Sequence, residues 1–158
     1  MANEMTPTNL DSERRDSIGR HLRLGWWLLL GFLTLGATLE AMHAFKVGWL
    51  LDVSNETRRL LFRLAHAHGV LLGLVNIAFA VTLSLLPPSQ SRRWRLASTC
   101  LVAASILMPG GFLLGGIWIY DADPGLGIFL LPVGAILLFV AVMLTALATR
   151  SYGKSSDS

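Results

Sequence analysis

Four long apolar runs constrain this chain more than any other feature of its sequence. They cover residues 24–45, 60–86, 96–119 and 126–149, and each has the roughly 20 residues that a helix needs to cross about 30 Å of hydrocarbon. The runs use most of a chain of 158 residues, 53% of them hydrophobic, so no second folded domain fits beside them. We therefore expect an all-α integral membrane protein with a four-helix bundle over residues 21–150.

The segments outside the apolar runs predict the topology. Residues 1–20 and 151–158 are polar and are expected to be disordered tails. We do not expect the N-terminal segment to be a cleavable signal, because the apolar run that follows it is too long for a signal h-region. Arginines and lysine flank the first run, fill the loop at 92–95 and follow the fourth run. The positive-inside rule then places both termini in the cytoplasm, in a multi-pass protein of the inner or plasma membrane. We read the basic charge as topology and not as nucleic-acid binding.

A cluster of ionisable residues lies in the hairpin that joins the first two runs. Glu40 and His43 are at the end of the first run, and His66 and His68 are near the start of the second. Three of the chain's four histidines are therefore expected at the same, extracytoplasmic end of two antiparallel helices. Ionisable groups within a membrane are costly, so a cluster of them predicts a functional site.

The residue types indicate a cofactor. Imidazole binds iron, copper and zinc, and a carboxylate beside it is a ligand, a hydrogen-bond acceptor or a proton carrier. Glu40, His43, His66 and His68 together would fill a tetrahedral site for a mononuclear Cu, Fe or Zn ion. Two axial histidines, with His43 and His66 the favoured pair, would instead hold a haem. The place of His68 stays open, since a regular helix sets it about 160° around the axis from His66.

Several other sites are disfavoured by what the sequence lacks. Glu-x-x-His occurs once, at Glu40 and His43, whereas di-iron bundles repeat it on a second helix. His-Glu-x-x-His is missing, which removes support for a zincin protease. The single cysteine, Cys100, excludes an internal disulfide and a cysteine-based metal framework. No catalytic residue is assigned, and whether the protein is an enzyme stays open.

Two short segments resemble known haem proteins. His66-Ala-His68-Gly69 is similar to the histidine-rich segment of the catalytic subunits of haem–copper oxidases and nitric oxide reductases, in which a histidine near a helix end ligates haem. Glu40-x-x-His43 resembles the Glu-x-x-His of haem A synthase, whose histidine ligates haem and whose glutamate is important for catalysis. Each resemblance covers about one helix of the four expected. Together they imply haem binding for electron transfer, sensing or cofactor handling.

Two other functions fit the same residues. Glu40 and the histidines would serve as a relay in a proton- or ion-coupled transporter, which at this size would act as a homo-oligomer. The chain would otherwise be a structural accessory subunit of a larger membrane complex, with no site of its own. His21, in the basic flank, is expected to face solvent or lipid headgroups. Pro109 and its neighbouring glycines are expected to interrupt or kink the third helix.

Overall fold

The part of the chain that the structure describes is almost entirely helical. The structure is a computed structural model that describes residues 7–51, 56–86, 92–120 and 123–153. The long helices are α1 (Pro7–Ala44), α3 (Glu56–Leu85), α4 (Arg92–Ile117) and α5 (Leu130–Gly153), with a short helix α2 (Gly48–Leu51) after α1 and a 3₁₀ turn, Leu126–Phe129, before α5. The all-α class is thus confirmed. The expected tails lie partly outside the described residues, at 1–6 and 154–158.

The four long helices are each long and apolar enough to cross a membrane. The qualifying spans are Asp11–Ala44, Glu56–Leu85, Arg92–Ile117 and Leu126–Arg150. Large apolar side chains are exposed along them, such as Trp27, Phe139 and Leu85, and a lipid environment is what makes such exposure stable. These features are those of a multi-pass membrane protein.

Helix α1 begins earlier than composition predicts. The polar segment before His21 was expected to be a disordered tail, but α1 starts at Pro7. The arginine side chain of Arg14 explains part of the difference, because it reaches the last turn of α3: its Nε donates to the carbonyl of Leu83 at 2.9 Å, and its terminal nitrogen donates to Leu86 at 2.6 Å. A cation on the free carbonyls of a helix C-terminus stabilises that helix end.

The long helices pack mainly in chain order, α1 on α3, α3 on α4 and α4 on α5. Close approach of α1 to α3 depends on paired glycines: a Cβ atom on Gly25 would lie 2.7 Å from the carbonyl oxygen of Gly73. Small residues at such crossings bring helix backbones together in membranes. The apolar core lies between α3, α4 and α5 and contains Leu72, Phe79, Leu83, Ala97, Cys100, Leu101, Met108 and Ala141.

Helix α4 continues through Pro109. The proline is fully buried within the helix and does not end it, so the expected interruption of the apolar run does not occur. A transmembrane helix tolerates a proline when neighbouring helices satisfy the backbone groups that the proline frees. After α4 the chain turns tightly at Gly125, where the N–H donates to the carbonyl of Gly115 at 2.9 Å. A side chain at Gly125 would strike the carbonyl oxygen of Trp118.

Candidate functional site

A cleft lies between α1 and α3 at the end where the two helices are joined. Its volume is about 250 Å³, and three of the four predicted site residues line it, namely Glu40, His43 and His66. The complete lining is Leu33, Gly36, Ala37, Leu39, Glu40, His43, Leu50, Arg59, Arg63 and His66. The lining therefore combines apolar side chains with several charged or ionisable groups.

His66 is the most firmly positioned of these groups. Its Nδ1 lies 2.6 Å from the carbonyl oxygen of Phe32. Since a carbonyl only accepts, Nδ1 carries the hydrogen and Nε2 keeps its lone pair. The ring lies so close to Gly36 that a Cβ atom there would overlap it. Metal-binding histidines usually donate their second N–H in this way, which fixes the ring and its tautomer.

The remaining two predicted residues of the cleft are less constrained. Glu40 and His43 are both exposed, and neither has a hydrogen bond or ion pair within the described residues. They lie three residues apart on α1, so they share a face of that helix. Their exposure leaves them accessible to a ligand.

His68 does not join the cleft. Its Nδ1 lies 2.8 Å from the carbonyl oxygen of Leu64 in its own helix, and its ring packs on Phe112 of α4 with centroids 4.8 Å apart. The helical rotation between His66 and His68 directs one ring to α1 and the other to α4. The four-residue tetrahedral site is therefore not assembled here, and within the described residues no group of three or more His, Cys, Asp or Glu side chains is placed to hold a metal ion.

Two arginines are functional candidates that the sequence reasoning did not include. Arg59 and Arg63 line the cleft beside His66. Arg59 also contacts Glu56, with 3.3 Å between a guanidinium nitrogen and Oε1. The signal in the sequence was their spacing: residues 59, 63 and 66 are four and three apart, which places them on one face of a helix.

Helix α2 lies at the same end of the molecule and contributes to the cleft. Leu50 of α2 is buried and lines the cleft. Arg58 attaches the short helix to α3 and α4, because its guanidinium stacks 4.6 Å from the ring centre of Trp49 and its Nε donates to the carbonyl of Gly116 at 3.3 Å. A cation over an indole face is attracted by the ring quadrupole.

A second set of polar side chains surrounds His21 in the N-terminal half of α1. The burial of His21 differs from the sequence-based expectation. His21 was expected to face solvent or headgroups, but its side chain is 0% exposed. Its Nδ1 lies 2.7 Å from Oδ1 of Asn76, and its Nε2 lies 2.8 Å from Oγ of Ser98. The ring also makes an edge contact with Phe79 at 4.7 Å between centroids.

Asn76 is the centre of this buried network. Its Nδ2 donates to the carbonyl of Leu72 at 2.8 Å and to Oγ of Ser105 at 2.7 Å. Because these bonds identify the amide nitrogen, Oδ1 faces His21 and must accept from Nδ1–H. Ser105 in turn donates to the carbonyl of Leu101. The network therefore connects α1, α3 and α4 without an unpaired buried polar atom among these four side chains.

The cleft and the buried network are separated by close packing. From His21 to Gly36 along α1 is about 22 Å, since an α-helix rises 1.5 Å per residue. Between them, Gly25 meets Gly73, and the ring of Phe32 covers the position of a Cβ on Gly69. Close contacts of α1 with α3 therefore fill the interface at these positions.

Comparison with known proteins finds no match among protein-family models, curated proteins or solved structures.

Proposed function

We propose that the cleft between α1 and α3 binds haem, with His66 as an axial ligand to the iron. The observation that carries the proposal is the fixed imidazole: the hydrogen bond to Phe32 holds Nδ1 and leaves the Nε2 lone pair to a ligand. An iron porphyrin is the cofactor class that needs only one or two protein ligands. It is thus compatible with a cleft in which three metal ligands do not converge.

The positively charged side chains in the cleft also support haem as the ligand. Arg59 and Arg63 lie beside His66, and guanidinium groups form paired hydrogen bonds with carboxylates such as haem propionates. The apolar lining of Leu33, Leu39 and Leu50 suits the porphyrin face. A porphyrin is larger than the cleft, so part of its edge would face lipid. Bound haem would supply reversible one-electron chemistry or a coordination position for a small ligand.

Purification of the protein with haem supplied tests the proposal. We expect a Soret absorption band in the wild-type protein and its loss in His66→Ala, because the variant removes the nitrogen that would bind iron. The matched control is His68→Ala, which changes a half-buried histidine two residues away that packs on Phe112. A wild-type protein without a Soret band, or an unchanged band in His66→Ala, would contradict haem binding by His66.

The arginines provide a second measure of the same site. Arg59→Gln with Arg63→Gln should weaken haem retention about tenfold or more, since a hydrogen bond to a charged group contributes about 1.5–3 kcal/mol. Haem transfer to apomyoglobin measures the retention. Arg23→Gln is the control, because Arg23 is an exposed arginine in the N-terminal half of α1 and does not line the cleft.

We further infer that the long helices form a four-helix bundle in the cell inner membrane or plasma membrane, with both termini on the cytoplasmic side. The basic residues at the start of α1, the start of α4 and the end of α5 support this orientation. The cleft then faces the extracytoplasmic side. The relay and accessory-subunit functions stay predictions; the relay gains no support from the close-packed glycines between the cleft and His21.

A further inference from the structure

The buried network around His21 is saturated with hydrogen bonds when the imidazole is neutral. Nδ1–H donates to Asn76, and Nε2 accepts from the hydroxyl of Ser98. The same Ser98 oxygen accepts from the guanidinium of Arg20 at 2.7 Å. Each hydrogen in this set has an acceptor, and each role is fixed by its neighbour.

A proton on Nε2 would disturb this arrangement. The imidazolium would have to donate to Ser98 Oγ, which already accepts from Arg20, and the Ser98 hydrogen would lose its acceptor. Two cations would then share one hydroxyl oxygen in a buried site. Like charges at such short range and a buried polar hydrogen without a partner both cost free energy.

Among the described residues, no negatively charged side chain contacts His21 to offset the proton. On α1, Arg20 contacts the network through Ser98, and Arg23, Asp16 and Glu13 are exposed. On α3 the contacting side chains are Asn76 and Phe79, which are uncharged. On α4 the contacting residue is Ser98, with the exposed Arg95 one turn earlier. The described side chains that contact His21 therefore carry no negative charge that would balance a proton on its ring.

The network also joins helices that otherwise have little connection. Helix α1 packs mainly on α3, and the hydrogen bonds from Arg20 and His21 to α4 both end on Ser98. Arg20, which donates to the same Ser98 oxygen, is exposed at the basic end of the molecule. Ser98 therefore links His21 both to the contact of α1 with α4 and to an exposed side chain at that end.

We propose that His21 is a proton-binding site that controls the docking of α1. Neutral His21 holds the N-terminal half of α1 against α3 and α4. Uptake of a proton from the side of the basic helix ends breaks the bond with Ser98 and releases that half of α1 from α4. The protein would respond in this way to acidification on that side, independently of any ligand in the cleft.

Spin-label distance measurements on the full-length protein in lipid nanodiscs test the proposal. Labels at Asp16→Cys in α1 and Thr99→Cys in α4, both exposed, are placed in a Cys100→Ala background. Between about pH 8 and pH 5, the range in which histidine changes charge, we expect a second, longer distance to appear and to become the larger population. A distance distribution that is the same at both pH values would overturn the proposal.

Two variants separate His21 from other groups. His21→Gln keeps a polar side chain but takes up no proton, so its distance distribution should not change with pH; a wild-type response in this variant would refute the role of His21. If the His21→Gln variant shows the longer label distance at every pH, the Arg20→Gln variant provides the deciding measurement. Removing this cation makes the charged imidazole more tolerable in the docked state, so the longer population at pH 5 should shrink at least severalfold, and an unchanged population would count against the proposal. His43→Ala, at the other end of α1, is the control that should respond as wild type.

Discussion

At the scale of single residues, adjacent positions in α1 have opposite environments. His21 is 0% exposed, while Arg20 and Arg23 on either side of it are exposed. A helix turns 100° per residue, so neighbours in sequence point in different directions. The expectation that His21 would be solvated followed from its basic neighbours in the sequence and was wrong. A better signal was the spacing of the residues that meet α3 and α4, which are 14, 21, 25, 32 and 36, steps of seven and four.

Asn76 gives the residue-scale prediction. Asn76→Ala should lower the free energy of unfolding by about 1–3 kcal/mol, because Nδ1–H of His21 and the Ser105 hydroxyl would lose a buried partner. Denaturation in mixed micelles by circular dichroism measures the change. Thr99→Ala is the matched control: Thr99 is exposed and bonds only its own helix at Arg95, so a change within about 0.5 kcal/mol is expected. Equal effects of the two substitutions would show that the network does not stabilise the fold.

At the scale of helices, the pairing of α1 with α3 fixes both polar regions. The register that brings Gly25 to Gly73 also places Phe32 on Gly69 and Gly36 beside the ring of His66. Backbone contact at glycines allows one register only, because any shift would bring larger side chains into the gap. The composition of α1 and α3 predicts two helices, but which glycines face each other depends on both sequences at once.

Gly25 and Gly31 allow a matched test of this register. Gly25→Leu should destabilise the protein by about 1–3 kcal/mol or more, because overpacking displaces well-packed neighbours, here Gly73 and Ile77. Gly31→Leu adds the same side chain to the same helix where nothing lies within 4 Å of the new Cβ, and it should be neutral or slightly stabilising. Thermal denaturation of both variants measures the difference. Similar melting temperatures would contradict the glycine contact.

At the scale of the whole molecule, arginine side chains are found at both ends of the helices. Arg14, Arg20 and the arginines that begin α4 lie at one end, and Arg59 and Arg63 lie with Glu40 at the other. Both ends are therefore basic, and the difference in count decides the orientation. At the first end, Arg14 and Arg20 are engaged in hydrogen bonds to α3 and α4, whereas at the other end Arg63 lines the cleft.

Thiol labelling in intact cells tests the orientation. In a Cys100→Ala background, Lys46→Cys, at the turn after α1, should react with a membrane-impermeant maleimide. Arg93→Cys, near the start of α4, should react only after the cells are permeabilised. Both positions are exposed, so a difference in reactivity reports the side of the membrane. The reverse pattern would place the cleft in the cytoplasm.

The sequence by itself determined the class of the protein and the neighbourhood of the candidate site. Apolar runs of membrane-spanning length dictate helices, because unpaired backbone groups are not tolerated in lipid, and a short connection brings Glu40, His43 and His66 to one end. Tertiary structure alone decided that His68 turns to α4, that Arg59 and Arg63 join the cleft, and that His21 is buried. The physical reason is that a side chain's surroundings depend on helix rotation and register, and these are set by close glycine contacts between residues 30 to 48 positions apart along the chain.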